Sequence, residues 1–118
     1  LKNPDGVCAA ARHEVACTLS DIISVSARLL QTSGRLCMCQ RPERLAEIIT
    51  VMRANKLEPK RLRLVCKKVG EEPWLVLTEA RKCGNTGLRI EPTLYVYENG
   101  EYSPEMIRIY GPYKEAYL

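Results

Sequence analysis

The 118-residue sequence is 46% hydrophobic and 27% charged, a globular composition that excludes a wholly disordered chain and suits one domain over residues 1–118. Eighteen Lys and Arg against 14 Asp and Glu leave a formal charge of +4, which permits a polyanionic partner without demanding one. No apolar run approaches the roughly 20 residues of a membrane span, so no membrane helix is expected.

In chain order, the start Leu1-Lys2-Asn3-Pro4 has neither an initiating Met nor an apolar signal segment, and reads as part of a longer protein. Leu1 to Gly6 has turn chemistry, and the alanine-rich stretch Val7 to Cys17 is helix-compatible. Thr18 followed by Asp21 resembles a capping box with Asp in place of Glu. It predicts a helix with the apolar stripe Leu19, Ile22, Ile23, Leu29 and Leu30, ended by Gly34 at C′. Leu36 to Gln40 is apolar on both faces and predicts a buried parallel strand. Pro42 suits the first turn of a second helix, where Leu45, Ile48, Ile49 and Met52 recur at helical spacing and Asn55 supplies a left-handed stop.

After a loop at Leu57 to Lys60 the period changes to two. Arg61 and Arg63 alternate with Leu62 and Leu64, predicting a strand with one wet face that runs to about Lys68. Val69 to Pro73 is a turn, and Trp74 to Arg81 is the second strand of an antiparallel hairpin. Lys82 to Gly87 is a basic loop, Leu88 to Glu91 and Thr93 to Tyr97 are short extended pieces, and Glu98-Asn99-Gly100 is a turn. Ser103-Pro104-Glu105 opens a last short helix that Gly111-Pro112 stops. The order helix, strand, helix, strand, strand is that of a mixed α/β sheet ending in a hairpin.

The six cysteines do not read as a disulfide framework. Cys37 and Cys39 alternate within an apolar run and Cys66 ends another, where cysteine behaves as a small hydrophobe. The Cys37-Met38-Cys39 pair has no second pair downstream and His13 lies far off, so no metal site is expected.

A set of ordered segments then becomes recognisable. Ala11-Arg12-His13-Glu14, Ser33-Gly34-Arg35, Arg41-Pro42-Glu43-Arg44-Leu45 and Leu57-Glu58-Pro59-Lys60-Arg61-Leu62-Arg63 occur in succession. Leu77-Thr78-Glu79-Ala80-Arg81-Lys82, Glu91-Pro92-Thr93-Leu94-Tyr95-Val96-Tyr97 and Tyr102-Ser103-Pro104-Glu105 follow. Over nearly its whole length the chain resembles the C-terminal half of the S-adenosylmethionine-dependent tRNA(Val) adenine-N6 methyltransferases and their bacterial relatives. The resemblance implies a Rossmann-like sheet of seven strands, with Leu36 to Gln40 as the fifth and Arg61 to Arg81 as the terminal antiparallel hairpin. It also implies a cytoplasmic transferase, with S-adenosylmethionine as cofactor and tRNA as substrate of the parent protein.

The sequence departs from that family where the chemistry resides. It has no glycine-rich loop for the cofactor's methionine end, no acidic residue for the ribose, and no Asn-Pro-Pro-aromatic motif to hold a flipped adenine. Asn3-Pro4 is followed by Asp5-Gly6 and reads as a turn. No catalytic or cofactor-binding residue is therefore expected here, no cofactor is expected to bind this piece, and the piece is expected to be inactive alone. The candidate RNA-contacting residues are Arg12, His13, Arg41, Arg44, Arg61, Arg63 and Lys82. Arg12 and His13 either line a substrate path or form a solvated helical turn with Glu14. Arg41 and Arg44 follow the C-terminal end of a parallel strand, where ligands gather in open α/β sheets. Trp74, Tyr95, Tyr97 and Tyr102 read as packing residues. The alternative function is a free-standing RNA-binding or regulatory module, and a third is a boundary product without separate biology. The strand at Leu36 to Cys39 is expected to have an open edge, covered by a second copy of the chain or by the N-terminal segment.

Overall fold

The computed structural model describes the backbone of residues 17–116 and the side chains of 17–111. The stretch Val7 to Ala16 and the candidates Arg12 and His13 lie outside the described residues. Helix α1 (Leu19–Leu29) begins as its capping box requires: Thr18 Oγ1 accepts from the Asp21 amide at 3.0 Å, and Asp21 Oδ2 accepts from the Thr18 amide at 3.1 Å. Two of the helix's four orphan N-terminal donors are thereby satisfied. The buried stripe is Leu19, Ile23 and Ala27, spaced by four, while Leu29 is 79% exposed. This corrects the expected stripe: Ile22 and Leu29, the last residue of the helix, lie off the face that Leu19, Ile23 and Ala27 turn to the core, while Leu30 beyond the helix packs partly against that core. Gly34 is not its C′ residue. The left-handed residue of the following loop is Ser33, at φ 71°, and Gly34 is needed where a Cβ would meet Gln31 O at 2.9 Å.

Strand β1 (Arg35–Gln40) leads through a 3-10 turn (Pro42–Arg44), with Pro42 in its first turn, into α2 (Leu45–Ala54). The left-handed stop is Lys56 at φ 63°, one residue beyond Asn55, whose side chain instead donates to Val51 O. The next strand, β2 (Leu57–Cys66), starts four residues earlier than Arg61, so the expected loop at 57–60 is strand. Its hairpin partner is β3 (Leu75–Lys82), reached through a turn in which Gly70 adopts φ 91°. Two short strands, β4 (Arg89–Ile90) and β5 (Leu94–Tyr95), then add to β2 in parallel, separated by Pro92. A small hairpin of β6 (Tyr97–Glu98) and β7 (Glu101–Tyr102) turns on Asn99 and Gly100, both at positive φ. Helix α3 (Pro104–Ala116) is capped by Ser103 Oγ, which accepts from the Met106 amide. Gly111-Pro112 does not end this helix. Proline forfeits one ladder bond there without breaking the run.

The sheet order is β1-β3-β2-β4, with β5 also on β2. Because β3 is antiparallel to both neighbours, β1 and β2 run parallel to each other. The expectation of a parallel strand buried on both faces is corrected in two respects. The ladder that β1 makes is antiparallel, and its faces differ: Leu36 and Met38 pack on the helical core while Cys37 and Cys39 are exposed. That core joins Leu19, Ile23 and Ala27 of α1 to Ile48 and Met52 of α2, over Leu57 and Ala80. Each such Leu or Ile contributes about 1.5–3 kcal/mol on burial.

One irregularity decides which residues face outward. The β2–β3 register shifts between Pro59 and Arg61, so that Lys60 is an extra residue in the ladder. Side chains alternate along a strand, and a bulge reverses that parity. Leu57 and Pro59 are buried before it, and Leu62 after it. Arg61 and Arg63 therefore stand on the opposite face, across from Glu79 and Leu77.

Candidate nucleic-acid interface

The face of the sheet turned away from α1 and α2 carries rows of cross-strand neighbours. Cys37, Glu79 and Arg61 form one row and Cys39, Leu77 and Arg63 the next. They line a shallow cavity of about 350 Å³ together with Glu91. Glu79 anchors the first row. Its nearly buried carboxylate accepts from Arg35 at 3.2 Å and from Arg61 at 2.5 Å. Burial pushes the Glu79 carboxyl up, but the hydrogen bonds from Arg35 and Arg61, with their positive charges, outweigh it and hold it below the usual carboxylate range. The same hydrogen bond and charge, with a contribution from Glu91, raise Arg61 above its ordinary value.

The described candidates are thus spread over three regions. Arg61 is shared between Glu79 and Glu91. Arg63 is bound to Glu105 of α3 and to the Pro92 carbonyl, so it ties the C-terminal helix to the sheet. Lys82 ends β3 and donates to Leu30 O at 2.7 Å, closing the loop after α1. Arg44, the last residue of the 3-10 turn, pairs with Glu47 of α2 at 2.9 Å. Arg41 is exposed just past β1, with a looser pair to Glu43 at 3.6 Å.

Arg41 stands at the end of the sheet where β1 and β2 both terminate. Cys66 is the last residue of β2 and Lys67 the next, so both cations sit at parallel-strand C-termini. Between them lies a cavity of about 340 Å³, bounded also by Glu71, Glu72, Pro73 and Trp74. The Trp74 amide donates to Val65 O at 2.7 Å, which fixes the residue at the mouth of the β2–β3 hairpin. The residue is 38% exposed, and Lys67 Nζ lies 5.3 Å from the ring centroid. A cation at that distance interacts favourably with the indole. The rim combines an aromatic plane, two cations and two carboxylates, groups able to stack a nucleobase and to hold phosphate or exocyclic amines. Sequence reasoning placed Trp74 among packing residues. Its half-exposed position at the strand ends follows from the length of the turn between β2 and β3, which periodicity does not report. The aromatic residues Tyr97 and Tyr102 do pack, stacked at 5.6 Å across the β6–β7 hairpin, with Tyr110 edge-on to Tyr102.

No family model matches the chain. In sequence it is 31% identical, over 117 residues and 96% of its length, to a tRNA1(Val) adenine-37 N6-methyltransferase of Porphyromonas gingivalis. A second strain's protein of the same name is 31% identical over 93% of the chain. The chain spans less than half the length of these curated relatives, 46% and 44% respectively. In structure it superposes on a crystal structure described as a predicted O-methyltransferase from Agrobacterium tumefaciens, with a TM-score of 0.72 and 22% identity, covering 78% of this chain and 45% of that one. That likeness carries the fold, which is Rossmann-like, with the antiparallel β3 between two parallel strands. Over almost all of its length, then, the chain is similar in sequence to part of the tRNA adenine-N6 methyltransferases, and its fold is Rossmann-like.

Proposed function

We propose that this chain is the C-terminal portion of a cytoplasmic, S-adenosylmethionine-dependent methyltransferase acting on an adenine N6 of tRNA, and that it supplies RNA contacts rather than the chemistry. The observation that carries this reading is the alignment of 96% of the chain with relatives of that name. The rim supports it: Trp74 offers a plane for a base, and Lys67 and Arg41 offer cations to the adjoining phosphates.

The described residues do not suit the cofactor. In the main sheet, β1 passes into a helix through the junction Gln40-Arg41-Pro42. It contains no glycine for close backbone approach, and Pro42 lacks an amide hydrogen. In this reading S-adenosylmethionine is held by other sequence of the intact protein, and the 118 residues are inactive alone.

The test is direct. The purified chain is expected to bind tRNA with a steep salt dependence and to transfer no labelled methyl group from S-adenosylmethionine. Transfer by these residues alone overturns the assignment of the chemistry elsewhere, and absence of tRNA binding at low salt overturns the RNA role. The second edge of β1 has no strand on it among the described residues, and the same reading gives that edge to another strand, in a homodimer that of a second copy. Sedimentation as a monomer at high protein concentration overturns the dimer.

A further inference from the structure

At the opposite end of the sheet from Trp74, a depression of about 310 Å³ is bounded by Arg35, Lys60, Arg61, Glu79, Arg81 and Arg89. Five cations thus surround one carboxylate, and that carboxylate is already engaged by Arg35 and Arg61. The register places like charges together. Arg35 is opposite Arg81 in the β1–β3 ladder, and Arg61 is opposite Arg89 in the β2–β4 ladder. Like charges directly opposite destabilise a sheet, so folding alone does not favour this arrangement.

The available acids do not relieve it. Glu58 is the register partner of Arg81 on β2, yet it pairs with Arg53 of α2 at 3.3 Å. Glu91 pairs with Arg61. Among the described residues Arg81 and Arg89, both exposed, form no ion pair. Lys60, put into the depression by the bulge, uses one proton on Asn85 O at 2.8 Å and retains two.

We propose that this depression docks the phosphodiester backbone of RNA, a contact separate from the Trp74 rim; the proposal rests on the reading of the chain as part of an RNA-modifying enzyme. The cations arise from four strands and are spread side by side, with no helix N-terminus among them. A row of phosphates suits that spacing better than one small phosphate, because backbone recognition asks for positive charge along a path. Along β1, Arg35 and Arg41 are six residues apart, about 20 Å of strand. An A-form RNA stem rises less than the 3.4 Å per step of B-DNA, so about seven base pairs cover that distance and one stem can touch both ends of the sheet.

The experiment measures tRNA affinity against salt for the wild-type chain, the double variant R81Q/R89Q and the rim variant W74A. Loss of two phosphate contacts is expected to flatten the slope of log K against log salt by about 1.8 and to weaken binding at least tenfold in low salt, while the melting temperature holds or rises. W74A is expected to weaken binding with the slope unchanged. If R81Q/R89Q leaves affinity and slope as in the wild type, the docking site is overturned and the RNA reading stands. If the wild-type chain binds no tRNA, both fall. Tight, saturable binding of inorganic pyrophosphate that R81Q/R89Q abolishes without loss of tRNA affinity assigns the depression to a small phosphate and overturns the proposal.

Discussion

Arg35 and Arg81 face each other across the β1–β3 ladder, and only Arg35 has a carboxylate, Glu79, to offset its charge among the described residues. Replacing Arg81 by threonine removes the repulsion and adds a strand-favouring side chain. The R81T chain is expected to be more stable by about 0.2–1 kcal/mol in urea denaturation. A loss of stability would mean that Arg81 already has a neutralising partner.

Glu79 makes stability depend on acid. Its folded-state value lies below the usual carboxylate range despite burial. Its contribution is therefore complete above the unfolded-state value of about 4.3 and is lost as the pH falls through the depressed folded-state value. The E79Q variant is expected to be less stable at neutral pH by about 1.5–3 kcal/mol, the range for hydrogen bonds to charged groups. It is also expected to show a shallower decline below pH 5 than the wild type. Denaturation curves at pH 7, 5 and 3 check both; parallel curves for the two proteins would refute the role of Glu79.

Thr78 is 4% exposed, and its Oγ1 finds no hydrogen-bond partner among the described residues. Valine has the same shape without the hydroxyl. Because a buried unsatisfied hydroxyl costs about 1–3 kcal/mol, T78V is expected to raise stability by about 1 kcal/mol. An unchanged or lowered denaturation midpoint would place a bound water or other partner on Oγ1.

Ser103 joins the last helix to the sheet. It is buried, accepts from the Met106 amide at 3.2 Å and donates to Tyr95 O at 2.5 Å. S103A removes the cap and leaves that carbonyl short of one donor, so about 1–2 kcal/mol is expected to be lost. Near-ultraviolet circular dichroism is expected to show loosening at Tyr102 and Tyr110 first, since those rings pack between β7 and α3. An unaltered aromatic spectrum would separate the cap from that packing.

Local chemistry made several elements legible in the amino-acid order. The Thr18–Asp21 box, the proline at the second helix, the β2–β3 hairpin, the Asn99-Gly100 turn and the Ser103-Pro104 start each depend on neighbours a few residues apart. What was not legible depends on pairing across strands. The exposed side of Cys37 and Cys39 follows from what covers β1, and hydrophobic patterning alone cannot distinguish that. Arg61 and Arg63 stand out as basic residues in the sequence, but Glu79, Glu91 and Glu105 engage them from 18 to 42 positions away. Arg35 and Lys60 join the basic depression only through the register and its bulge.

The extra residue at Lys60 has a consequence in the currency of insertions and deletions. A chain shortened by that one residue would alternate regularly from Leu57 through Arg63, keeping Leu57, Pro59 and Leu62 toward the helices and Arg61 and Arg63 away from them. Such a deletion removes one cation from the basic depression and leaves the sidedness of β2 intact. Straightening the bulge with Lys60 still present is what would turn Arg61 and Arg63 toward the helices.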